Sequence, residues 1–142
     1  DDVDAELEAA LGIDVVVEAL DYDAYFARLL DDPPAMWALS WIADYPSPND
    51  FLGVLLGSGR SSNYTGWRDA AFDAAIAEAV GARDPTAAAA AYARAETIVR
   101  EAAPAIPVSY ATGWTLVRDG LHGARENGMG ILRLAGLAWS AP

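Results

Sequence analysis

The amino-acid sequence predicts an α/β fold, a small mixed sheet with packed helices and a helical hairpin. Three observations lead to this prediction. Apolar and polar residues alternate from Ile13 to Ala19, and the run from Met36 to Ile42 is almost continuously apolar, as in a strand covered on both faces. From Arg68 to Ala103 the apolar residues instead recur at helical spacing. The chain has 142 residues, which is the size of one domain.

The N-terminal elements follow from spacing and from capping residues. A first helix is predicted from Val3 to Leu11, because its apolar residues have helical spacing and Gly12 ends it. After the strand from Ile13 to Ala19, Asp21 or Asp23 is expected to cap a short helix that ends near two consecutive prolines.

The middle of the chain alternates loops and helices. A loop from Ala43 to Asn49 follows the second strand, and a short helix is predicted from Asp50 to Leu56. The next segment, Gly57 to Gly66, is a loop rich in glycine and serine, and long loops are often functional.

The helical hairpin has the clearest local signals. Its helices are predicted from Arg68 to Val80, with Val80 among the inward-facing residues, and from Pro85 to Ala103, with Ala102 among them. Gly81 ends the first helix, Asp84 caps the second, and proline occupies the favoured first position.

Two further segments follow the hairpin. Residues Ile106 to Val117 are extended sequence, and a last strand candidate runs from Gly130 to Leu137. His122 is the only histidine and lies between them in a Gly-Leu-His-Gly sequence, which is typical of a surface turn. A histidine-based triad would need this one residue to meet a serine and an acid.

Composition excludes several classes of function. All 9 basic residues are arginine, and 21 acidic residues give a net charge of −12, which argues against binding to nucleic acid or anionic lipid. Cysteine is absent, which excludes disulfides, thiolate metal sites and cysteine nucleophiles. The sequence also lacks calcium-loop and phosphate-loop spacing and has no apolar run of about 18 residues. We therefore predict no catalytic residue, no metal and no cofactor.

An acidic residue follows the second predicted strand. Asp44 lies at the carboxyl end of the sheet, where open α/β folds bind ligands. Trp37, Trp41 and Tyr45 would provide apolar walls that desolvate this carboxylate, which then needs a cation or several donors. An organic ammonium ligand would meet that need. The alternative is that Asp44 only bonds loop amides in an Asx turn.

Several sequence motifs resemble those of a known family. They are W-x-A-D-Y-P-x-P-x-x-F-L from Trp41 to Leu52, Asn63-Tyr64, Phe72-Asp73, Tyr92-x-x-Ala95-Glu96-x-Ile98 and Ala103-Pro104-x-Ile106-Pro107. In this order they closely resemble the C-terminal part of the extracellular solute-binding proteins, family 5, of ABC transporters, the dipeptide-, oligopeptide- and nickel-binding type. Where the family commonly has Asn-Pro before the Phe-Asp helix start, this chain has Arg68-Asp69-Ala70-Ala71, with Asp69 as a substitute cap.

The resemblance implies a periplasmic-binding-protein-like lobe of a two-lobed receptor outside the cytoplasm, either periplasmic or a membrane-anchored lipoprotein. Such a receptor closes on a small-molecule ligand, here a peptide, and delivers it to an ABC permease in the membrane without chemistry. In peptide-binding members the acid of W-x-A-D pairs with the ligand's α-ammonium, which matches Asp44, and the motif's tryptophan lines the cleft, which matches Trp41. Tyr45 and Asn63 are added as ligand-binding candidates by proximity and by loop position.

The chain is expected to be one domain, residues 1–142, within the C-terminal lobe of a longer protein. Asp1 is not methionine and leads directly into helical sequence, and the chain is several times shorter than receptors of this family. Half of the cleft would then be absent, so we expect weak or no ligand binding by the chain alone. Sheet strands would be absent too, which leaves open dimerisation through an unpaired sheet edge.

Two other functions remain as alternatives. One is an acid-base hydrolase that pairs Asp44 with Asp50 or Asp73, although 21 acidic residues offer many such pairs by chance. The other is a protein-interaction domain that uses the loop from Gly57 to Gly66 and exposed tryptophans.

Overall fold

The computed structural model describes residues 3–140. The described α-helices are Val3–Leu11 (α1), Tyr22–Asp31 (α2), Leu52–Leu56 (α3), Ala70–Gly81 (α4) and Pro85–Ala102 (α5). Two short strands, Leu121–His122 (β1) and Ala138–Trp139 (β2), pair antiparallel with Leu121 opposite Trp139. The chain divides into two compact units, one up to Ala38 and one from Leu39. The expected one-domain organisation stays a prediction.

The first unit contains α1 and α2, and both begin or end as the sequence predicts. Gly12 follows α1 with a φ of 65°, a conformation that favours glycine. Asp21 caps α2 by accepting a hydrogen bond of 2.9 Å from the Ala24 N–H. Leu29 is the buried residue of α2, and the Tyr25 hydroxyl donates to the Ala38 carbonyl at 2.6 Å. Burial raises the pKa of Tyr25.

The second unit is built on the helical hairpin of α4 and α5, which confirms that prediction. Asp69 caps α4 by accepting from the Phe72 N–H at 2.8 Å, and Asp84 caps α5. The core between α3, α4 and α5 consists of a few buried residues, Leu56, Phe72, Ala75, Ile76 and Ala95. Four alanines of α4 and α5 are buried, namely Ala75, Ala79, Ala91 and Ala95.

Two details of the predicted hairpin core are wrong. Val80 is 60% exposed and Ala102 is also exposed, although both were expected to face inward. Each lies in the last turn of its helix, and α5 with 18 residues is longer than α4 with 12, so the end of α5 at Ala102 has no counterpart in α4.

The α/β class is confirmed, but the predicted strands are not where the sequence placed them. Residues 13–19, 36–42, 106–117 and 130–137 form no strand; Leu132 in the last of these ranges makes an isolated bridge with Glu126, and Leu134–Gly136 is a 3-10 turn. A strand needs a ladder of hydrogen bonds from a neighbour, and within residues 3–140 these segments have none beyond the contacts of that bridge. Their apolar side chains therefore stay exposed, with Tyr110 at 94%, Trp114 at 93% and Leu116 at 102%.

Within residues 3–140, none of the helices has both the length and the apolar character needed to cross a membrane.

Candidate functional site

The segment that begins at Trp41 folds around the carboxylate of Asp50. Asp50 is 0% exposed. Its Oδ2 accepts hydrogen bonds from the indole Nε1–H of Trp41 at 3.1 Å and from the backbone N–H of Asp44 at 2.9 Å. Its Oδ1 is buried and has no hydrogen-bond partner among the described residues. One oxygen of Asp50 thus bonds two residues that precede it in the same segment, Trp41 and Asp44.

Polar contacts further along the same segment fix the turn that carries Asp50. This turn is the 3-10 helix Pro48–Asp50, and Ser47 caps it by accepting from the Asn49 N–H at 3.2 Å. The Asn49 side-chain amide donates to the Tyr45 hydroxyl at 2.8 Å. The Ser47 hydroxyl also lies 3.5 Å from the hydroxyl of Tyr92 on α5. These bonds attach the turn to the helical hairpin.

Asp44 differs from Asp50 in its exposure and in the contacts of its carboxylate. It is exposed, and its carboxylate makes no hydrogen bond or ion pair with any residue that the structure describes. The predicted desolvation of Asp44 is therefore wrong in this structure, although Trp41 is half-buried beside it in sequence. The Asx-turn alternative is wrong as well, because the acid that bonds a loop amide is Asp50. The Asp44 carboxylate is available to a cation.

An open cleft of about 520 Å³ lies along this segment. Ala43 and Tyr45, the neighbours of Asp44 in sequence, both line it. Its remaining lining residues are Pro46, Ser47, Pro48, Phe51, Asn127, Gly128 and Met129. The lining is mostly apolar and includes two aromatic rings, which is typical of small-molecule sites.

Asn63 holds the loop from Gly57 to Gly66 in place. Its side-chain N–H groups point at the carbonyls of Leu56, Gly57 and Trp67, at 3.2, 3.1 and 3.0 Å. Its Oδ1 accepts from the hydroxyl of Thr65 at 2.6 Å. All polar atoms of this amide are thus engaged within the loop, and the ligand role of Asn63 stays a prediction.

The start of the same loop is attached to α4. The backbone N–H of Ser58 donates to Oδ1 of Asp73 at 3.0 Å. The hydrogen bonds from the Ser58 hydroxyl and N–H lower the pKa of Asp73, with smaller help from two arginines, Arg60 and Arg68. Asp73 thus attaches the start of this loop to α4.

The hydrolase alternative gains little from this geometry. Asp50 is fully buried, so it cannot face a substrate as the partner of Asp44, and Asp73 bonds Ser58. His122 does contact the Ser140 hydroxyl through Nε2, but no acid bonds its other ring nitrogen within residues 3–140. Over the same residues, no group of three or more metal-ligating side chains is present.

Sequence reasoning missed the organising role of Asp50. It treated Asp50 as the start of a helix and as one of many acids. The signal was present in Ser47-Pro48-Asn49-Asp50, which places an acid at the end of a capped turn directly before a helix. Its burial could not be predicted, because that depends on Trp41 folding back over the turn.

The chain is similar in sequence to known peptide-binding and heme-binding proteins. No family model matches the chain. Di/tripeptide-binding protein 1 of Pseudomonas aeruginosa is 24% identical over 125 residues, and heme-binding protein A of Haemophilus influenzae is 27% identical over 124, covering 87% and 86% of this chain. The periplasmic murein peptide-binding protein MppA of Escherichia coli is 31% identical over 113 residues, or 80% of the chain.

A solved structure supports the fold. The unliganded open form of the murein tripeptide-binding protein MppA matches with a TM-score of 0.67 and 29% identity over 72% of this chain and 20% of that one. The chain spans 21–23% of the length of the curated relatives described above. The chain is thus homologous to periplasmic peptide-binding proteins, and its resemblance to family 5 and its binding-protein fold are confirmed.

Proposed function

We propose that this homologue of the periplasmic peptide-binding proteins forms part of the substrate-binding component of an ABC importer. In this role it captures a peptide outside the cytoplasm and delivers it to a membrane permease. The observation that carries the proposal is the exposed, unpaired carboxylate of Asp44, whose neighbours line an apolar cleft. The protein would bind and release its ligand without chemistry, like the binding proteins that it resembles.

Asp44 is the proposed partner of the ligand's ammonium group. A charge-assisted hydrogen bond between a carboxylate and an ammonium is about twice as strong as a neutral one. Trp41 and Tyr45 would pack against the ligand. If closure of the receptor buries the ion pair, removal of the carboxylate would cost about 3–5 kcal/mol, because the ammonium would be left buried and unpaired.

The charge of the site favours a peptide over heme. Heme-binding protein A is among the relatives, so this family of sequences also serves an anionic ligand. Heme carries two carboxylates, which Asp44 and the net charge of −12 would repel. A peptide presents an ammonium at its N-terminus.

The rest of the ligand site is proposed to lie outside this chain. The motifs from Trp41 to Pro107 resemble the C-terminal part of family 5 receptors, and the matched region is 20% of the MppA structure, so we infer that the chain belongs to the C-terminal lobe of a longer, two-lobed receptor. The opposite wall of the cleft then comes from the remaining lobe, and binding is hinge closure.

A paired-ligand experiment tests this function. The full-length protein is titrated with trialanine and with N-acetyl-trialanine, which lacks the ammonium, and unfolding is followed by thermal shift. A ligand at 100 times its dissociation constant stabilises by about 2.7 kcal/mol, so binding is easily seen. We expect a shift with trialanine, a much smaller one with the acetylated peptide, and loss of the difference in Asp44→Asn.

The matched control is Asp119→Asn. Asp119 is also exposed in the second unit and makes no described polar contact, so this variant should bind as the wild type does. Equal responses to both peptides in the wild type, or an unchanged response in Asp44→Asn, would remove Asp44 from the site. A shift with heme but with no peptide would refute the proposed ligand class.

A further inference from the structure

We propose that Asp50 is the positioning residue of the ligand site: its buried carboxylate sets the orientation of the Trp41 ring and of the Asp44 backbone. The inference rests on the proposed function, under which Trp41 and Asp44 meet the ligand. Asp50 itself is 0% exposed and would not touch the ligand.

The first argument is that one atom holds both candidate ligand residues. Oδ2 of Asp50 accepts from Trp41 Nε1–H at 3.1 Å and from the Asp44 N–H at 2.9 Å. Because the acceptor is shared, a displacement of Asp50 moves both donors together. The distance between the indole ring and the Asp44 backbone is therefore set by this carboxylate.

The second argument is that Asp44 has no other polar contact. Within residues 3–140, the bond from its N–H to Asp50 is the single hydrogen bond described for Asp44, and its carboxylate has no partner. The direction of a free side chain is set by its backbone and its rotamer. Asp50 is thus the one described polar group that restrains the Asp44 backbone, from which the carboxylate extends.

The third argument is that Asp50 is itself held firmly. It ends the turn Pro48–Asp50, its N–H donates to the Ser47 carbonyl at 3.1 Å, and α3 begins two residues later. Ser47 lies near Tyr92 of α5, and Leu56 of α3 belongs to the hydrophobic core. A rigid supporting residue of this kind lowers the ordering cost that ligand binding would otherwise carry.

The unpartnered Oδ1 supplies a matched pair of variants. In Asp50→Asn the amide oxygen can take the place of Oδ2 and keep both hydrogen bonds, while the NH₂ group takes the place of an atom that bonds no described residue. In Asp50→Ala both bonds are lost, and two partly buried N–H groups are left without an acceptor. Positioning therefore predicts opposite behaviour for two substitutions that both remove the carboxylate.

The experiment uses the full-length protein with two readouts. The first is the ¹⁵N–¹H resonance of the Trp41 indole, identified by its loss in Trp41→Phe. We expect it to move upfield and exchange faster with solvent in Asp50→Ala, and to stay near its wild-type position in Asp50→Asn. The second is the dissociation constant of trialanine, measured well below the unfolding temperature of each variant.

For the dissociation constant, we expect Asp50→Ala to bind about tenfold more weakly, the factor that corresponds to one net hydrogen bond. Asp50→Asn should stay within about threefold of the wild type. If Asp50→Ala does not fold, Asp50→Ser replaces it, because its short hydroxyl cannot reach both donors; the same weakening is then expected.

The outcomes separate the two proposals. Trialanine binding that is equal in the wild type and in Asp50→Ala overturns the positioning role alone. A Trp41 indole resonance at the same position in the wild type and in Asp50→Ala does so too. A loss of stability in Asp50→Ala with no loss of affinity would show Asp50 to be structural only. A wild type that binds no peptide overturns the proposed function, and the positioning role with it.

Discussion

The substitution Asn63→Asp separates a loop-holding role from a ligand-binding role at one of the predicted site residues. It replaces the NH₂ group of Asn63 by an oxygen that faces three carbonyls at 3.0–3.2 Å. An NH₂ group has two hydrogens, so two full hydrogen bonds are lost, at about 1–1.5 kcal/mol each. We expect a loss of about 2–3 kcal/mol in the free energy of unfolding. At this chain length the midpoint should fall by about 4–12 °C.

The matched control is Asn49→Asp, which adds the same charge in the same unit. Its NH₂ group donates to one exposed acceptor, the Tyr45 hydroxyl at 2.8 Å, so the loss should stay below about 1 kcal/mol. Both variants are measured by urea unfolding with tryptophan fluorescence. Trp67 is a suitable probe because its carbonyl accepts from Asn63 and its ring centroid lies 5.0 Å from that of Phe72. Equal stability of the two variants would refute the loop-holding role. Weaker trialanine binding by a fully stable Asn63→Asp would instead establish Asn63 as a ligand residue.

Three further predictions test the core, the pH dependence and the exposed apolar segment. Phe72→Ala should destabilise by about 3–5 kcal/mol in urea unfolding, because Phe72 is 0% exposed, whereas Phe51→Ala at 45% exposure should cost far less. The pKa of Asp73 is lowered in the folded state, so its carboxylate contributes stability above the ordinary pKa of 3.8, and this stability is lost as the pH falls through the lower folded pKa. Asp73→Asn should therefore flatten the acid side of a plot of unfolding free energy against pH. An unchanged slope would contradict this. Leu116→Arg should reduce any concentration-dependent association of the chain in sedimentation velocity more than Leu134→Arg does, and equal effects would exclude residues 106–117 as the association surface.

The helical hairpin could be predicted because its signals are local. Asp69 and Asp84 accept hydrogen bonds from N–H groups two or three residues ahead, and Pro85 occupies the first turn of α5. Such contacts depend on neighbouring residues alone, so the sequence states them directly. The same reason accounts for the correct end of α1 at Gly12.

The strands could not be placed because their partners are not local. Residues 13–19 and 106–117 have the composition of strands, but a strand forms only when another segment supplies its ladder hydrogen bonds. What the sequence does not contain is the identity of the neighbouring strand.

The two acids of the site illustrate the same distinction. The motif predicts a ligand role for Asp44, which stays a prediction. It could not assign burial to Asp50 and exposure to Asp44, because that depends on the Trp41 indole reaching an acceptor nine residues further along the chain. Two acids six residues apart in one motif therefore differ: Asp50 holds the segment, and the Asp44 carboxylate makes no described polar contact.

The exposure of Asp44 determines where the binding energy must come from. Two opposite charges 4 Å apart attract by about 1 kcal/mol in water and by about 4 kcal/mol at the effective dielectric constant of a partly enclosed site. In this structure Asp44 faces solvent, so an ammonium would gain the smaller amount. The larger amount requires a second surface that excludes water, and the open, apolar cleft lined by Tyr45 and Phe51 offers one wall for it. Specificity for a peptide would then depend on closure, which converts a weak exposed contact at Asp44 into a strong one, while Asp50 keeps that contact in register.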